Sequence, residues 1–317
     1  MPMNARTLTS DSLLLTTAII WGFAFVAQRV GMEFVGPFIF NGIRFALGCL
    51  VLLPIILKNG GFRTTLSLPA NGLSRGAILT GGFLAGLALF AGSSFQQVGI
   101  VYTTAGNAGF ITGLYVVIVP ILGLFLGHRT SSGTWVGAIL AAAGMYLLSV
   151  TEQFTISFGD LLVFIGAFFW AGHVIIIGWL SPRHDSLHLA FLQYAVCSFL
   201  SLITSFIFET TTGPALIRAT IPILYGGVLS VGIAYTLQVV AQKNAHPAHA
   251  AILLSLEAVF AALGGWIILD EILNLKELSG CVLMFAGMII SQLWGFSSRT
   301  EHIEIPRDER LSPKDTP

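Results

Sequence analysis

Residues 103–126 read TTAGNAGFITGLYVVIVPILGLFL, a stretch with no charged side chain. An α-helix needs about 20 apolar residues to cross the ~30 Å hydrocarbon core of a bilayer. The same pattern recurs along the chain, where about ten apolar stretches of this length alternate with short polar breaks. The sequence therefore predicts an all-α integral membrane protein.

The composition excludes several classes of soluble protein. Hydrophobic residues make up 55% of the 317 residues and charged residues only 9%, against roughly 25% charged in soluble domains. The net charge is zero, so no basic surface for nucleic acid is expected. Membrane-spanning helices of about 20 residues use most of the chain, which leaves no room for a separate soluble enzyme domain.

The apolar stretches predict ten transmembrane helices with both termini on one side. The expected spans are 13–31, 36–57, 76–98, 103–126, 133–150, 160–180, 189–208, 222–242, 249–269 and 279–296. With a cytoplasmic N-terminus, eleven of the 15 basic residues lie in inner segments, three lie in outer segments, and Arg44 lies within a span. This bias favours cytoplasmic termini. Residues 1–12 are then a cytoplasmic N-terminus, and the polar residues 297–317 a disordered cytoplasmic tail.

The two halves of the chain resemble each other at an offset of about 142–149 residues. Trp21 and Trp170 stand at similar places, and Gln96 and Gln238 begin matching stretches. The repeats cover residues 13–151 and 152–296, with five predicted spans each. An odd number of spans inserts the second copy upside down relative to the first, which is a structural basis of alternating access in transporters.

Two stretches then carry a resemblance to a known family. Residues 21–25 (WGFAF), followed by Pro37 and Arg44, resemble the opening of an EamA domain, and residues 249–263, closed by Asp270-Glu271, resemble the end of one. Ala258 stands where family members often have proline, and His128 where an acidic residue is common. EamA domains occur in tandem in the ten-helix drug/metabolite transporter superfamily. The resemblance implies a carrier or exporter of small metabolites, commonly amino acids, with a cavity between the halves.

Two charged residues fall near the middle of predicted spans. Glu257 lies about eight residues into the ninth span, hence ~12 Å from its end, where an ionisable group is costly and usually functional. It is either a proton-carrying group or a hydrogen-bonded structural glutamate. Arg44 reaches a similar depth from the opposite side. It could bind a substrate carboxylate, pair with Glu257, or snorkel to the interface.

Polar and aromatic residues within the spans are candidates for the lining of a substrate cavity. Amide groups orient a polar solute, and aromatic rings hold apolar groups or an ammonium over their faces; each could instead pack against a neighbouring helix. The predicted substrate-binding residues are Trp21, Gln96, Asn107, Tyr115, Trp170, Tyr235, Gln238 and Glu257. His173 is expected to be a satisfied core histidine, with titration during transport as the alternative.

The sequence offers no sign of catalysis or of a bound metal. The pairs His184/His188 and His246/His249 have helical spacing but lie at loops without supporting ligands. No P-loop, HExxH, GxSxG or EF-hand pattern occurs. No catalytic residue, metal site or cofactor is therefore expected.

The predicted function is secondary-active transport, with export as the expected direction, of small metabolites such as amino acids. The mechanism is alternating access around a midplane cavity, and protons are the candidate coupling ion. The expected location is the lipid bilayer of a bacterial inner membrane. The sequence does not decide whether the protein is a monomer or a homodimer. A membrane-embedded enzyme acting on lipid-linked substrates, or a sensory or assembly protein, are the alternatives, and a solute flux measurement separates them from a carrier.

Overall fold

The structure is a computed structural model that describes residues 5–59, 61, 75–127, 131–149, 157–270 and 275–300. Within these ranges every regular element is a helix, so the predicted all-α class is confirmed. The α-helices are α1 (Ala5–Gly31), α2 (Pro37–Lys58), α3 (Arg75–Gly99), α4 (Ala105–Gly113), α5 (Tyr115–Phe125), α6 (Ser132–Ser149), α7 (Phe158–Leu180), α8 (Ser186–Phe208), α9 (Gly213–Arg218), α10 (Thr220–Leu224), α11 (Thr236–Ala241), α12 (Pro247–Leu254), α13 (Glu257–Leu269) and α14 (Leu275–Thr300). A π-helix, Tyr225–Tyr235, joins α10 to α11.

Eight segments of the described chain are long and apolar enough to cross a membrane. They are Thr7–Gly31, Pro37–Lys58, Ile78–Gly99, Ala105–Phe125, Phe158–Leu180, Ser186–Phe208, Thr220–Ala241 and Pro247–Leu269. The other two predicted spans correspond to α6 and α14, whose apolar parts, Ser132–Gly144 and Leu278–Ile290, are shorter. The chain is therefore a multi-pass membrane protein.

Two helices extend beyond their predicted membrane spans, and two predictions fall outside the described ranges. The first helix, Ala5–Gly31, extends beyond the predicted span 13–31, and in its polar part the hydroxyls of Ser12 and Thr16 bond to carbonyls one turn earlier. The last helix continues to Thr300. Residues 301–317 of the predicted tail and the motif residue His128 lie outside the described residues.

Two of the membrane-length segments are interrupted in the middle. The segment 105–125 breaks at Leu114, and the segment 247–269 breaks at Ser255 and Leu256. At these points backbone N–H groups bond to the carbonyl three residues earlier, as in a 3₁₀-helix. Examples are Val117 N to the Leu114 carbonyl (3.0 Å) and Ala258 N to the Ser255 carbonyl (3.1 Å). Irregular backbone at membrane depth is tolerated where it lines a cavity inside the protein.

The first helix of each sequence half packs into the other half. Helix α1 packs against the π-helix, α11, α12 and α13, while α7 packs against α3, α4 and α5. Helices α2 and α8 lie along each other, and so do α6 and α14. This exchange places α1 and α7 at the centre of the bundle, so the residues predicted from both halves can meet there.

Two polar contacts mark opposite ends of the bundle. At the first end, which we call the Asp11 end, Asp11 Oδ1 of α1 lies 2.9 Å from His249 Nε2 of α12. At the second, the Asp160 end, Thr103 Oγ1 donates to Asp160 Oδ1 of α7 at 2.7 Å. Helix α7 begins at the Asp160 end and finishes at the Asp11 end, where its Gly178 meets Pro247 at the start of α12.

A glycine lets α1 approach α13 closely. A Cβ atom at Gly22 would lie 2.2 Å from Phe260 Cβ and 2.8 Å from the carbonyl oxygen of Glu257. Small residues allow such backbone contact where lipid provides no hydrophobic force between helices. The contact holds the start of α13, and with it Glu257, against the centre of α1.

Candidate functional site

A closed cavity lies where the two broken segments meet α1 and α7. Its volume for a water-sized sphere is about 30 Å³. Its lining residues are Trp21, Ala24, Phe25, Gln28, Arg44, Gln96, Thr112, Tyr115, Trp170, His173, Val174, Ser230, Tyr235, Gln238 and Glu257. None of these residues is more than 9% exposed, so the cavity is buried inside the bundle. The volume has room for about two water molecules, so binding of a larger solute would require the surrounding helices to move apart.

Seven of the eight predicted binding residues line this cavity, and Asn107 does not. Asn107 lies in the first turn of α4, where its backbone N–H donates to Thr104 Oγ1 at 3.1 Å. This position precedes the break at Leu114 by seven residues, which is ~10 Å along a helix. Asn107 therefore lies towards the Asp160 end, away from the depth of the cavity.

Gln96 connects four helices on one side of the cavity. Its Oε1 accepts from Trp170 Nε1 at 2.8 Å and from Thr112 Oγ1 at 3.5 Å, and its Nε2 donates to Gln28 Oε1 at 3.0 Å. Both the oxygen and the nitrogen of the amide group thus have protein partners. Gln96 holds the wall of the cavity in place and leaves little for a ligand.

Aromatic rings form a second wall. The rings of Trp21 and Tyr235 lie 4.4 Å apart between centroids, and those of Trp170 and Tyr235 lie 6.0 Å apart in a stacked arrangement. His173 approaches Tyr235 edge-on at 6.3 Å. The Trp21 indole donates to the carbonyl of Ser230 within the π-helix at 3.3 Å, which fixes the ring. Such a wall can hold an apolar group or a cationic group of a ligand.

Arg44 and Glu257 bring opposite charges to the same cavity without meeting. Within the described ranges, neither residue forms an ion pair, and Arg44 Nε, Arg44 Nη2 and Glu257 Oε1 have no hydrogen-bond partner. Tyr235 lines the same cavity as both charged side chains. Arg44 is 1% exposed, so in this structure its side chain lies in the cavity wall and does not snorkel to the interface.

The helix breaks place Tyr115 and Glu257 face to face. Each is the first residue after its break, at the start of α5 and of α13, and they stand 142 residues apart in the sequence. The two side chains are close enough to interact, but their geometry falls short of a hydrogen bond.

Four polar residues of the lining are not among the predicted binding residues: Gln28, Thr112, Ser230, and His173, which was predicted as a core histidine. Helical spacing could have found three of them. Gln28 follows Trp21 by seven residues, Thr112 precedes Tyr115 by three, and His173 follows Trp170 by three, which places each pair on one helix face. His173 contacts Gln193 Oε1 through Nε2 at 2.7 Å, as expected of a core histidine, but its Nδ1 has no partner.

Comparisons with known proteins agree with this architecture. The model of the EamA-like transporter family matches residues 8–150 and again residues 157–293. An uncharacterized transporter of Archaeoglobus fulgidus is 33% identical over 291 residues, covering 92% of this chain and 88% of that protein. The uncharacterized transporter YoaV of Bacillus subtilis is 23% identical over 285 residues, covering 88% and 94%. A solved crystal structure shares the fold, with a TM-score of 0.71 at 19% identity over 92% of this chain and 99% of that one.

Proposed function

This chain belongs to the EamA-like transporter family, and we propose that it is a secondary-active exporter of small metabolites such as amino acids. Its relatives are named as transporters, which supports the general assignment as a membrane transporter. The substrate class, the direction and the coupling are our proposals, and they rest on the cavity.

The single observation that carries the proposal is a closed cavity whose lining includes polar groups without partners. Arg44, Gln238 and Glu257 all present such atoms while being almost completely buried. Each buried polar group without a partner costs about 1–3 kcal/mol. A bundle that served only as a scaffold would gain stability by filling this space with apolar side chains. The polar lining is instead suited to a small polar solute that completes these interactions.

Alternating access is the mechanism that we propose for moving the solute. Ten spans in two inverted five-helix halves would place the Asp11 end at the cytoplasm, together with both termini, and the membrane would be the bacterial inner membrane. Support comes from the matching breaks at Leu114 and Leu256 and from the exchange of α1 and α7 between the halves. Broken helices around a central site are a recurring feature of such transporters.

Glu257 is the residue that we propose for proton coupling. Its carboxyl group lines the cavity with one oxygen free, so protonation and solute binding would act on the same group. A carboxyl group that takes up a proton on one side and releases it on the other could couple solute export to proton entry.

Solute flux in proteoliposomes tests the proposal. We expect labelled amino acids to move in response to an imposed pH gradient, and we expect Glu257→Gln to lose that response. Glu33→Gln, which alters an exposed carboxyl group beyond the end of α1, serves as the control. Absence of flux across a panel of amino acids and small amines, with folded protein, would contradict the proposed transport. Full pH response in Glu257→Gln would remove its coupling role.

A further inference from the structure

The guanidinium group of Arg44 is a buried cation without an anion. It lies on α2 in the wall of the cavity and is 1% exposed. Its Nε and Nη2 atoms have no hydrogen-bond partner, and no carboxylate of the described residues pairs with it. An arginine side chain keeps its charge in proteins, so this site holds a positive charge that nothing in the described chain neutralises.

The surroundings of Arg44 hold the side chain in place while leaving its donors free. Its Cζ atom lies 5.6 Å from the ring centroid of Phe40 and 5.1 Å from that of Phe45. On the other side, Gly226 of the π-helix faces this side chain, and a Cβ atom at Gly226 would lie 3.3 Å from Arg44 Cδ. Aromatic faces stabilise a cation only in part, and glycines contribute no acceptor side chain. The site is therefore preformed for a group that brings negative charge.

The cost of this arrangement argues for a ligand. A buried, uncompensated charge costs several kcal/mol in a real protein, and removing one partner of a buried ion pair is strongly destabilising for that reason. The guanidinium presents its N–H groups as a planar fork that matches the two oxygens of a carboxylate. A ligand carboxylate would supply both the missing charge and the missing acceptors.

We propose that Arg44 is the anion-binding subsite of the cavity and that the solute binds there through its carboxylate. The inference rests on the proposed function and deepens it, because it makes the carboxylate the required group of the solute. The free oxygen of Glu257 and the rings of Trp21 and Tyr235 lie elsewhere in the same lining and suit an amino group of that solute. The amino group is then a secondary determinant of affinity.

Three ligands with one carbon skeleton test the proposal by binding to the purified full-length protein. L-leucine has both charges, 4-methylpentanoate has only the carboxylate, and L-leucinamide has only the ammonium. We expect isothermal titration calorimetry to show that both carboxylates bind and that the amide binds roughly tenfold to a hundredfold more weakly than L-leucine, as for the loss of a hydrogen bond to a charged group. Equal binding of amide and acid, or no binding of either carboxylate, would overturn the proposal.

Variants then assign the effect to Arg44. We expect Arg44→Gln to weaken binding of both carboxylates about tenfold or more and to leave L-leucinamide unaffected, and Arg44→Lys to fall between because it keeps the charge but loses the planar fork. Arg183→Gln is the matched control, since Arg183 lies over the ring of Trp179 at the protein surface. If Arg44→Gln does not fold, Arg44→Lys and the comparison of the three ligands still test whether Arg44 binds the carboxylate. Unchanged carboxylate affinity in folded Arg44 variants would overturn the assignment.

The binding assay also separates this proposal from the transport proposal. A carboxylate preference that depends on Arg44, without flux in proteoliposomes, would support the subsite and contradict the transport function. Flux without such a preference would leave the transporter in place and contradict the subsite.

Discussion

Gln96 and Gln238 stand at matching places in the two halves of the sequence, yet their side chains have different surroundings. Gln96 bonds to Trp170, Thr112 and Gln28. Gln238 also lines the cavity and is fully buried, but neither atom of its amide group has a partner. At the scale of the residue, one glutamine therefore stabilises the wall and the other is available to a ligand.

Replacing Gln96 with leucine should destabilise the protein. The change leaves the Trp170 indole and the Gln28 amide without partners, and each such loss costs about 1–3 kcal/mol. Thermal unfolding in detergent measures the effect. Gln238→Leu is the matched control, because it removes no protein hydrogen bond and should weaken solute binding while keeping the unfolding temperature. Equal stability of the two variants would refute the different roles.

At the scale of the element, the helix breaks and the contact between α1 and α13 determine the positions of Tyr115 and Glu257. The breaks direct Tyr115 and Glu257 towards each other from the starts of α5 and α13. Gly22 brings α1 against the turn that carries Glu257. The position of the carboxyl group thus depends on a backbone contact as well as on its own side chain.

The variant Gly22→Ala should disturb that contact. Its Cβ would overlap Phe260 and the Glu257 carbonyl, and forcing an extra methyl group into a packed interior typically costs about 1–3 kcal/mol. We expect a lower unfolding temperature and reduced flux. Gly172→Ala in α7 is the control, because its Cβ would meet no atom within 4 Å and alanine favours a helix over glycine. A Gly22→Ala protein as stable and active as Gly172→Ala would show that the close approach is not required.

At the scale of the whole molecule, two polar contacts close the bundle at opposite ends. Asp11 and Asp160 stand 149 residues apart, at corresponding places in the first helices of the two halves. Asp11 contacts His249 at the start of α12, and Asp160 contacts Thr103 just before α4. Each contact joins the first helix of one half to the fourth segment of the other. In the proposed alternating access, opening one end of the cavity would disturb the contact at that end.

Weakening one contact should therefore open one end selectively. We expect Asp11→Asn to raise labelling of a cysteine at Ala24, a cavity residue, by an impermeant maleimide added on the Asp11 side. Asp160→Asn should raise labelling from the opposite side, in an otherwise cysteine-free protein. Asp185→Asn is the control, since Asp185 contacts His188 within the first turn of α8 and joins no two helices. Labelling that rises on the same side in both variants would contradict the arrangement.

Hydrophobic length, helix content and family resemblance could be predicted from the sequence because each is a local property of the chain. The membrane-length segments of α1 and α7 carry Trp21 and Trp170 at matching places, and seven of the eight predicted residues line the cavity because the motifs mark the depth of a residue along its helix. Asn107 lies on a segment that lines the cavity, but in its first turn, nearer the Asp160 end than the cavity.

Only the tertiary structure decided which polar groups find partners, because partners come from helices far away in the sequence. It placed Arg44 inside the cavity between Phe40, Phe45 and Gly226 of the π-helix, where the sequence left three alternatives open. It also gave Gln96 three partners and Gln238 none. The amino-acid sequence alone thus determined a helical membrane protein of a transporter family. Packing between distant helices determined which of its buried side chains remain free to bind a solute.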